Sequence, residues 1–453
     1  MSMADDEVAQ GAKPDNRKMA AGFAAKLACS GVFVSGRTLE DVVRDDIQRA
    51  SPLTRDIEYA LDVDRQTVTA TKRGVSVTAL HRPGVGAVLV VDADLETLRR
   101  QTGGMSPART LTRPGRWPEG EEAEPATRDV PGSALSGALD AIFADETPDR
   151  EMDTRALVVV HGGLLVAERY APGYGPATRL LGWSASKSVL ATLVGILVDE
   201  GRLRLDAPAP VSEWRTPGDP RGAITLRHLL HMSSGLAFSE PYVPGADSTV
   251  MLFERGDMAG FAAASPLAHP PGEVWDYSSG TTNLLSRIVM EAVGGSMAAY
   301  QNYARERLFE PAGMASAVFE PDERGVIVGS SYLYATARDW ARFGQLYMNG
   351  GELNGRRILS KAWVDFVQRP APAAPLREYA AHFRLNPLQE PGGTEREYPN
   401  LPHDMYLARG HNRQIVAIMP TQRTVIVRLG WTVNDRVFEL DRHFSAILAA
   451  LRL

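Results

Sequence analysis

The stretch from Ser184 to Glu200 carries apolar side chains on nearly every side of a helix, with Val189, Leu190, Leu193, Val194, Ile196 and Leu197 leaving no polar stripe for water,. Such a helix must be covered all round, so the chain has to build layers about it. Ala156 to Val160 and Leu164 to Tyr170 flank His161-Gly162-Gly163 as a hairpin with a Gly-rich turn, after a short helix from Ser136 to Phe143,. Far downstream, Met405 to Arg409, Gln414 to Met419 and Thr424 to Leu429 are three more strand-like runs, and Asp435 to Leu451 is a closing helix,. Helical segments lie between, among them Asn283 to Val293 and Ala335 to Asn349, the latter stopped by Gly350-Gly351,. Strands at both ends with helices inserted predict one α/β layer and a mainly α subdomain.

At 453 residues, 44% hydrophobic and 23% charged, the chain has material for two or three domains, or for one large domain with additions,. Residues 1 to about 18 have a disordered composition, and Gly103 to Pro131 gathers five prolines around Glu119 to Glu124, which is linker chemistry,. Between them Gln66 to Ala79 and Val85 to Val91 read as a few strands, with no ligand cluster or phosphate loop,. The chain is therefore divided into an accessory segment and linker, 1–130, and a principal domain, 131–453. A net charge of -6 argues against nucleic acid as a partner,. Cys29 is the only cysteine, which excludes an intrachain disulfide and a thiolate-rich metal site,. Ala20 to Val34 contains Lys26 and is shorter than the roughly 20 residues of a membrane span,. With no secretory signal visible at the start, the chain reads as cytoplasmic.

Chemistry concentrates in Gly182-Trp183-Ser184-Ala185-Ser186-Lys187. Residues three apart share a helix face, so the Ser184 hydroxyl and the Lys187 amine can meet, and an amine freed of its proton can activate the hydroxyl. The same residues also fit a helix cap and a solvated lysine. Two facts favour chemistry. The helix is buried throughout, and only six of the 49 basic residues are lysines, so a lysine here points to a need for an amine that arginine cannot supply,. His228 and His231 lie three apart without a third ligand nearby and read as structural, and Tyr277 precedes a helix in Tyr277-Ser278-Ser279,.

These segments, with Asp199 to Pro208, Leu229 to Leu236 and Arg409 to Gln414, resemble in order and spacing the class C β-lactamase-like serine hydrolases over roughly residues 134 to 453. That family includes penicillin-binding-protein-like enzymes, esterases and the 6-aminohexanoate-dimer hydrolase, and the motifs are most similar to those of the last and of related esterases. The resemblance implies an antiparallel sheet flanked by helices with an inserted mainly α subdomain. It implies Ser184 as nucleophile, Lys187 and Tyr277 as its proton-transfer partners, and backbone N–H groups of Ser184 and Gln414 as the oxyanion hole. It places His411-Asn412-Arg413 on a strand beside the serine and Tyr242 against substrate, and it requires no metal or cofactor. Ser279 stands two residues after the tyrosine, where β-lactamases of this class usually have Asn, and Arg413 stands where the third motif normally has Gly. Arg413 would either narrow the groove or bind a carboxylate. The expected activity is hydrolysis of a small amide or ester through an acyl-enzyme; the alternatives are a β-lactamase or D-amino-acid peptidase, and a non-catalytic protein that keeps an acylation site.

Overall fold

In the computed structural model, which describes residues 15–105, 115–120, 132–144, 151–390, 393–434 and 436–452, the polar start of the chain gives way at once to a helix. Asp15 accepts the Arg17 N–H as an N-cap, and α1 runs over Asn16–Phe33,. The tail at 1–14 and the linker at 106–114 and 121–131, for which the composition predicts disorder, lie outside the described residues. Four antiparallel strands follow in sequential order, β1 (Ile57–Asp62), β2 (Thr67–Lys72), β3 (Val75–Arg82) and β4 (Gly86–Val90). The sequence reading lacks β1, an edge strand whose side chains are all exposed or only half buried. Ala21, Ala24, Ala25 and Ala28 give α1 a smooth face, which packs on β2 and β3. Among the described residues no helix is long and apolar enough to cross a membrane.

Two acids from the far side of the chain fasten this module. Glu320, fully buried, pairs with the buried Lys26 of α1 and accepts hydrogen bonds from Ser30 Oγ (2.9 Å) and the Ala87 N–H (2.6 Å). Glu323 receives the N–H groups of Val91 (2.7 Å) and Asp92 (2.9 Å). Removing one partner of a buried ion pair strands the other charge, so Glu320→Ala is expected to cost about 3–5 kcal/mol of stability. Urea unfolding checks this, and Lys26→Met added to Glu320→Ala should recover a large share; an additive double mutant would show that the pair is not coupled.

The principal sheet is assembled from both ends of the remaining chain. After α2 (Ala134–Phe143) come β5 (Thr154–His161) and β6 (Leu164–Tyr170), joined by a turn in which Gly162 and Gly163 both take positive φ,. Helices α3 (Ser186–Asp199), α4 (Asp247–Glu254), α5 (Ser279–Val293) and α6 (Ala337–Met348) precede β7 (Arg384–Leu385), β8 (Tyr406–Gly410), β9 (Gln414–Met419), β10 (Thr424–Gly430) and α7 (Leu440–Leu451). The order is β7-β8-β9-β10-β5-β6, antiparallel throughout. Alternation divides the apolar strands between two faces. Val158, Val160, Val416, Ile418, Val425 and Val427 share one core with α1, α3 and α6, while Leu157, Val159, Ile415, Ala417, Met419 and Ile426 share another with α2 and α7,. This is the α/β architecture expected, a sheet flanked by helices with a mainly helical insertion.

Three local expectations change. The buried helix opens with a 3₁₀ turn, Trp183–Ala185, and is α-helical only from Ser186. The closing helix starts at Leu440 rather than at Asp435, which lies outside the described residues. His411-Asn412-Arg413 is not on a strand: it is the 3₁₀ turn joining β8 to β9, with Gly410 paired to Gln414 across it. Asn412 (φ 56°) and Arg413 (φ 60°) both adopt the left-handed region, which reverses the chain where a strand would have continued,.

Candidate active site

Ser184 is presented by two close backbone contacts and one strained residue. Trp183 has φ 46°, a left-handed conformation rare for a bulky side chain, which throws Ser184 outward at the head of α3,. A Cβ on Gly182 would stand 2.3 Å from the Trp340 ring, and one on Gly410 would stand 2.1 Å from the Gly182 carbonyl oxygen, so only glycine lets the end of β8 press against the serine turn,. Ser184 is half buried on the wall of a cavity of about 190 Å³, while Lys187 behind it is 1% exposed.

The Lys187 ammonium donates to Ser184 Oγ (3.2 Å), Ser279 Oγ (3.0 Å) and the Ser330 carbonyl (3.0 Å), which uses all three of its protons,. Deprotonated, the amine keeps two donors for Ser279 and Ser330 and turns its lone pair to Ser184. The Ser279 hydroxyl passes the connection on, donating to Glu240 Oε1 (2.6 Å), while the Ser279 N–H donates to Glu240 Oε2 (2.7 Å). Burial pushes the Glu240 carboxyl above its ordinary range, opposed by the Lys187 charge and the Ser279 bonds,. Glu240 therefore joins the network, which the sequence reading missed.

Tyr277 reaches Lys187 through its ring, with the ammonium 4.9 Å from the centroid; among the described residues its hydroxyl makes no hydrogen bond,. Tyr242 lines the cavity, its hydroxyl 3.5 Å from Glu240, and its ring meets that of His411 at 5.0 Å. His411, Asn412 and Arg413 line the cavity from their turn. Ser279 lies beneath the cavity, under Lys187. Gln414 is behind the wall: its side-chain amide donates to the carbonyls of His411 (3.1 Å), Asn412 (3.2 Å) and Gly430 (2.6 Å), which holds the turn closed. Gly410, His411, Asn412 and Arg413 line the cavity beside it.

Neither expected structural histidine enters the site. His228 accepts the Thr225 N–H in a capping box (3.2 Å), and His231, stacked on Phe366, is lowered by burial to about 4,. His382 borders the cavity, but burial lowers it to about 3, and it spends its ring nitrogens on the Leu230 carbonyl and Thr282 Oγ1. Arg384 is the second residue the sequence reading missed. Its guanidinium lies over Trp275 (5.8 Å), Tyr277 (5.6 Å) and Tyr379 (5.4 Å) on the cavity wall, and among the described residues it meets no carboxylate.

The chain is similar in sequence and in fold to known proteins. The family model described as Beta-lactamase matches residues 139–450, more than half of the chain. The 6-aminohexanoate-dimer hydrolase of Paenarthrobacter ureafaciens is 31% identical over 248 residues, which are 51% of this chain and 62% of that protein, so the chain spans less than two thirds of that relative's length. A solved structure of a putative 6-aminohexanoate-dimer hydrolase from Bacillus anthracis superposes with a TM-score of 0.55 at 25% identity, covering 69% of this chain and 84% of that one. A family VIII carboxylesterase shares the fold, with a TM-score of 0.51 at 16% identity over 70% of this chain and 97% of that one.

Proposed function

The chain belongs to the beta-lactamase family of serine hydrolases, and from that premise we propose that it cleaves a small linear amide or ester through an acyl-enzyme on Ser184. One observation carries this: a half-buried serine hydroxyl on a cavity wall lies 3.2 Å from a buried lysine whose other partners stay satisfied when it gives up a proton. In the proposed mechanism Ser184 Oγ attacks the carbonyl carbon while its proton passes to Lys187. The C–N or C–O bond then breaks as a proton is returned to the leaving group, with Tyr242 and Tyr277 bordering its path, and water releases the acyl group by the reverse sequence. The Ser184 N–H is the proposed oxyanion donor.

Amide and ester cleavage is supported by the names of the relatives and by the Ser279–Glu240 pair that holds Lys187. Turnover of 4-nitrophenyl acetate and of a linear aminohexanoate dimer, compared with a chromogenic cephalosporin, tests it; faster cephalosporin turnover would favour the β-lactamase alternative. Covalent labelling without turnover of any of them would leave an acylatable binding protein.

Three arginines, Arg384, Arg409 and Arg413, line the cavity, and Arg409 already pairs with Glu397 at 3.3 Å. Arg384, held over three rings and without a carboxylate among the described residues, is suited to receive one from substrate, a role the sequence reading gave to Arg413 alone,. Arg384→Gln is expected to lower the ratio of kcat/KM for a carboxylate-bearing ester to that of its neutral methyl ester about 10- to 150-fold, the equivalent of a charge-assisted bond. An unchanged ratio would rule out carboxylate recognition by Arg384.

A further inference from the structure

We propose that the N-terminal module, outside the family match, builds an apolar subsite beside Ser184 that receives a hydrocarbon arm of the substrate. This rests on the serine hydrolase reading and adds to it a wall that the family domain does not contain, because that match begins at residue 139.

A second cavity, of about 180 Å³, adjoins the nucleophile's. Met19 and Phe23 of α1 line it together with Leu53, Trp183, Phe253 and Trp431. Tyr242, His411 and Asn412 line both cavities, so the two are separated only by that partition. Its Tyr242 is 50% exposed, and Trp183 is covalently next to Ser184.

The wall is fixed. A Cβ on Gly22 would stand 2.3 Å from the Phe253 carbonyl oxygen, so α1 meets α4 backbone against side chain-free backbone, and the Phe23 and Phe253 rings meet edge to face at 5.2 Å. The buried Lys26–Glu320 pair holds the same helix one turn further on. Among the described residues no Asp, Glu, Lys or Arg lines the space, and its polar lining is limited to uncharged groups such as Ser51, Thr54 and Thr249. A dry cavity of roughly 150 Å³ takes benzene, so this one admits a ring or a chain of about six carbons. Burying one methylene there is worth about threefold to fourfold in kcat/KM.

Two ester series test the subsite and show which arm it takes: 4-nitrophenyl acetate, butanoate and hexanoate vary the acyl chain, and ethyl, butyl and hexyl acetate vary the alcohol. In one series kcat/KM should climb about tenfold or more from the shortest to the longest member. Ala50→Trp, placed at the exposed rim of the cavity, should cut that long-to-short ratio at least about tenfold, and Phe23→Ala should move the optimum to longer chains,. A flat response in both series, or a ratio that neither variant moves, would overturn the subsite while leaving the hydrolase intact. Failure to turn over any ester would instead remove the hydrolase reading and the subsite with it.

Discussion

Ser184→Ala is expected to lower kcat by about 10⁴-fold or more, and a fluorophosphonate is expected to label the native protein at Ser184 and nowhere else. Two serines hydrogen-bond Lys187, so the choice between them rests on geometry. Ser279 lies at 3.0 Å from the amine, slightly nearer than Ser184 at 3.2 Å, but its side chain is buried to 1% exposure and its proton is committed to Glu240 at 2.6 Å. Ser184 is half exposed to the cavity, and its side chain is hydrogen-bonded to Lys187. Peptide mass spectrometry after labelling decides the matter. An adduct on any other residue, or wild-type turnover by Ser184→Ala, would remove the acyl-enzyme mechanism.

What could be read from the chain alone follows the distance over which each interaction acts. Ser184 and Lys187 meet within one turn, and the strands at 414–419 and 424–429 stood out because they are apolar on both faces and sit between two helical layers. Glu240 escaped because its partner is 39 residues away, and a carboxylate in a loop before proline reads as solvated. Arg384 escaped for the same reason: three rings from separate segments make its seat. The family resemblance alone placed 411–413 on a strand, whereas the apolar runs stop at Arg409 and resume at Gln414; Asn tolerates a left-handed backbone but Arg seldom does, so the residues do not announce the sharp reversal,. In the N-terminal third the strands after the edge strand β1 are legible, whereas their attachment is not, since Lys26 and Ser30 find Glu320 across about 290 residues of sequence.

Glu240→Gln should show whether this buried acid only caps α5 or sets the charge state of Lys187. Its two oxygens accept the Ser279 N–H and Oγ–H, and glutamine offers one acceptor and one donor, so at least one of those bonds is lost and a fall in kcat/KM of about 10²-fold is expected,. Loss of activity alone would also follow from a misplaced helix, so the pH profile carries the test. A carboxylate close by favours the protonated amine, and Lys187 must be neutral to accept the Ser184 proton. With the charge gone the amine deprotonates more readily, so the limb of kcat/KM that rises with pH should move to lower pH in Glu240→Gln. Glu240→Asp, which restores charge with a shorter reach, should return the limb toward its native position even if the rate stays low. A limb that stays in place in all three proteins would reduce Glu240 to a helix cap.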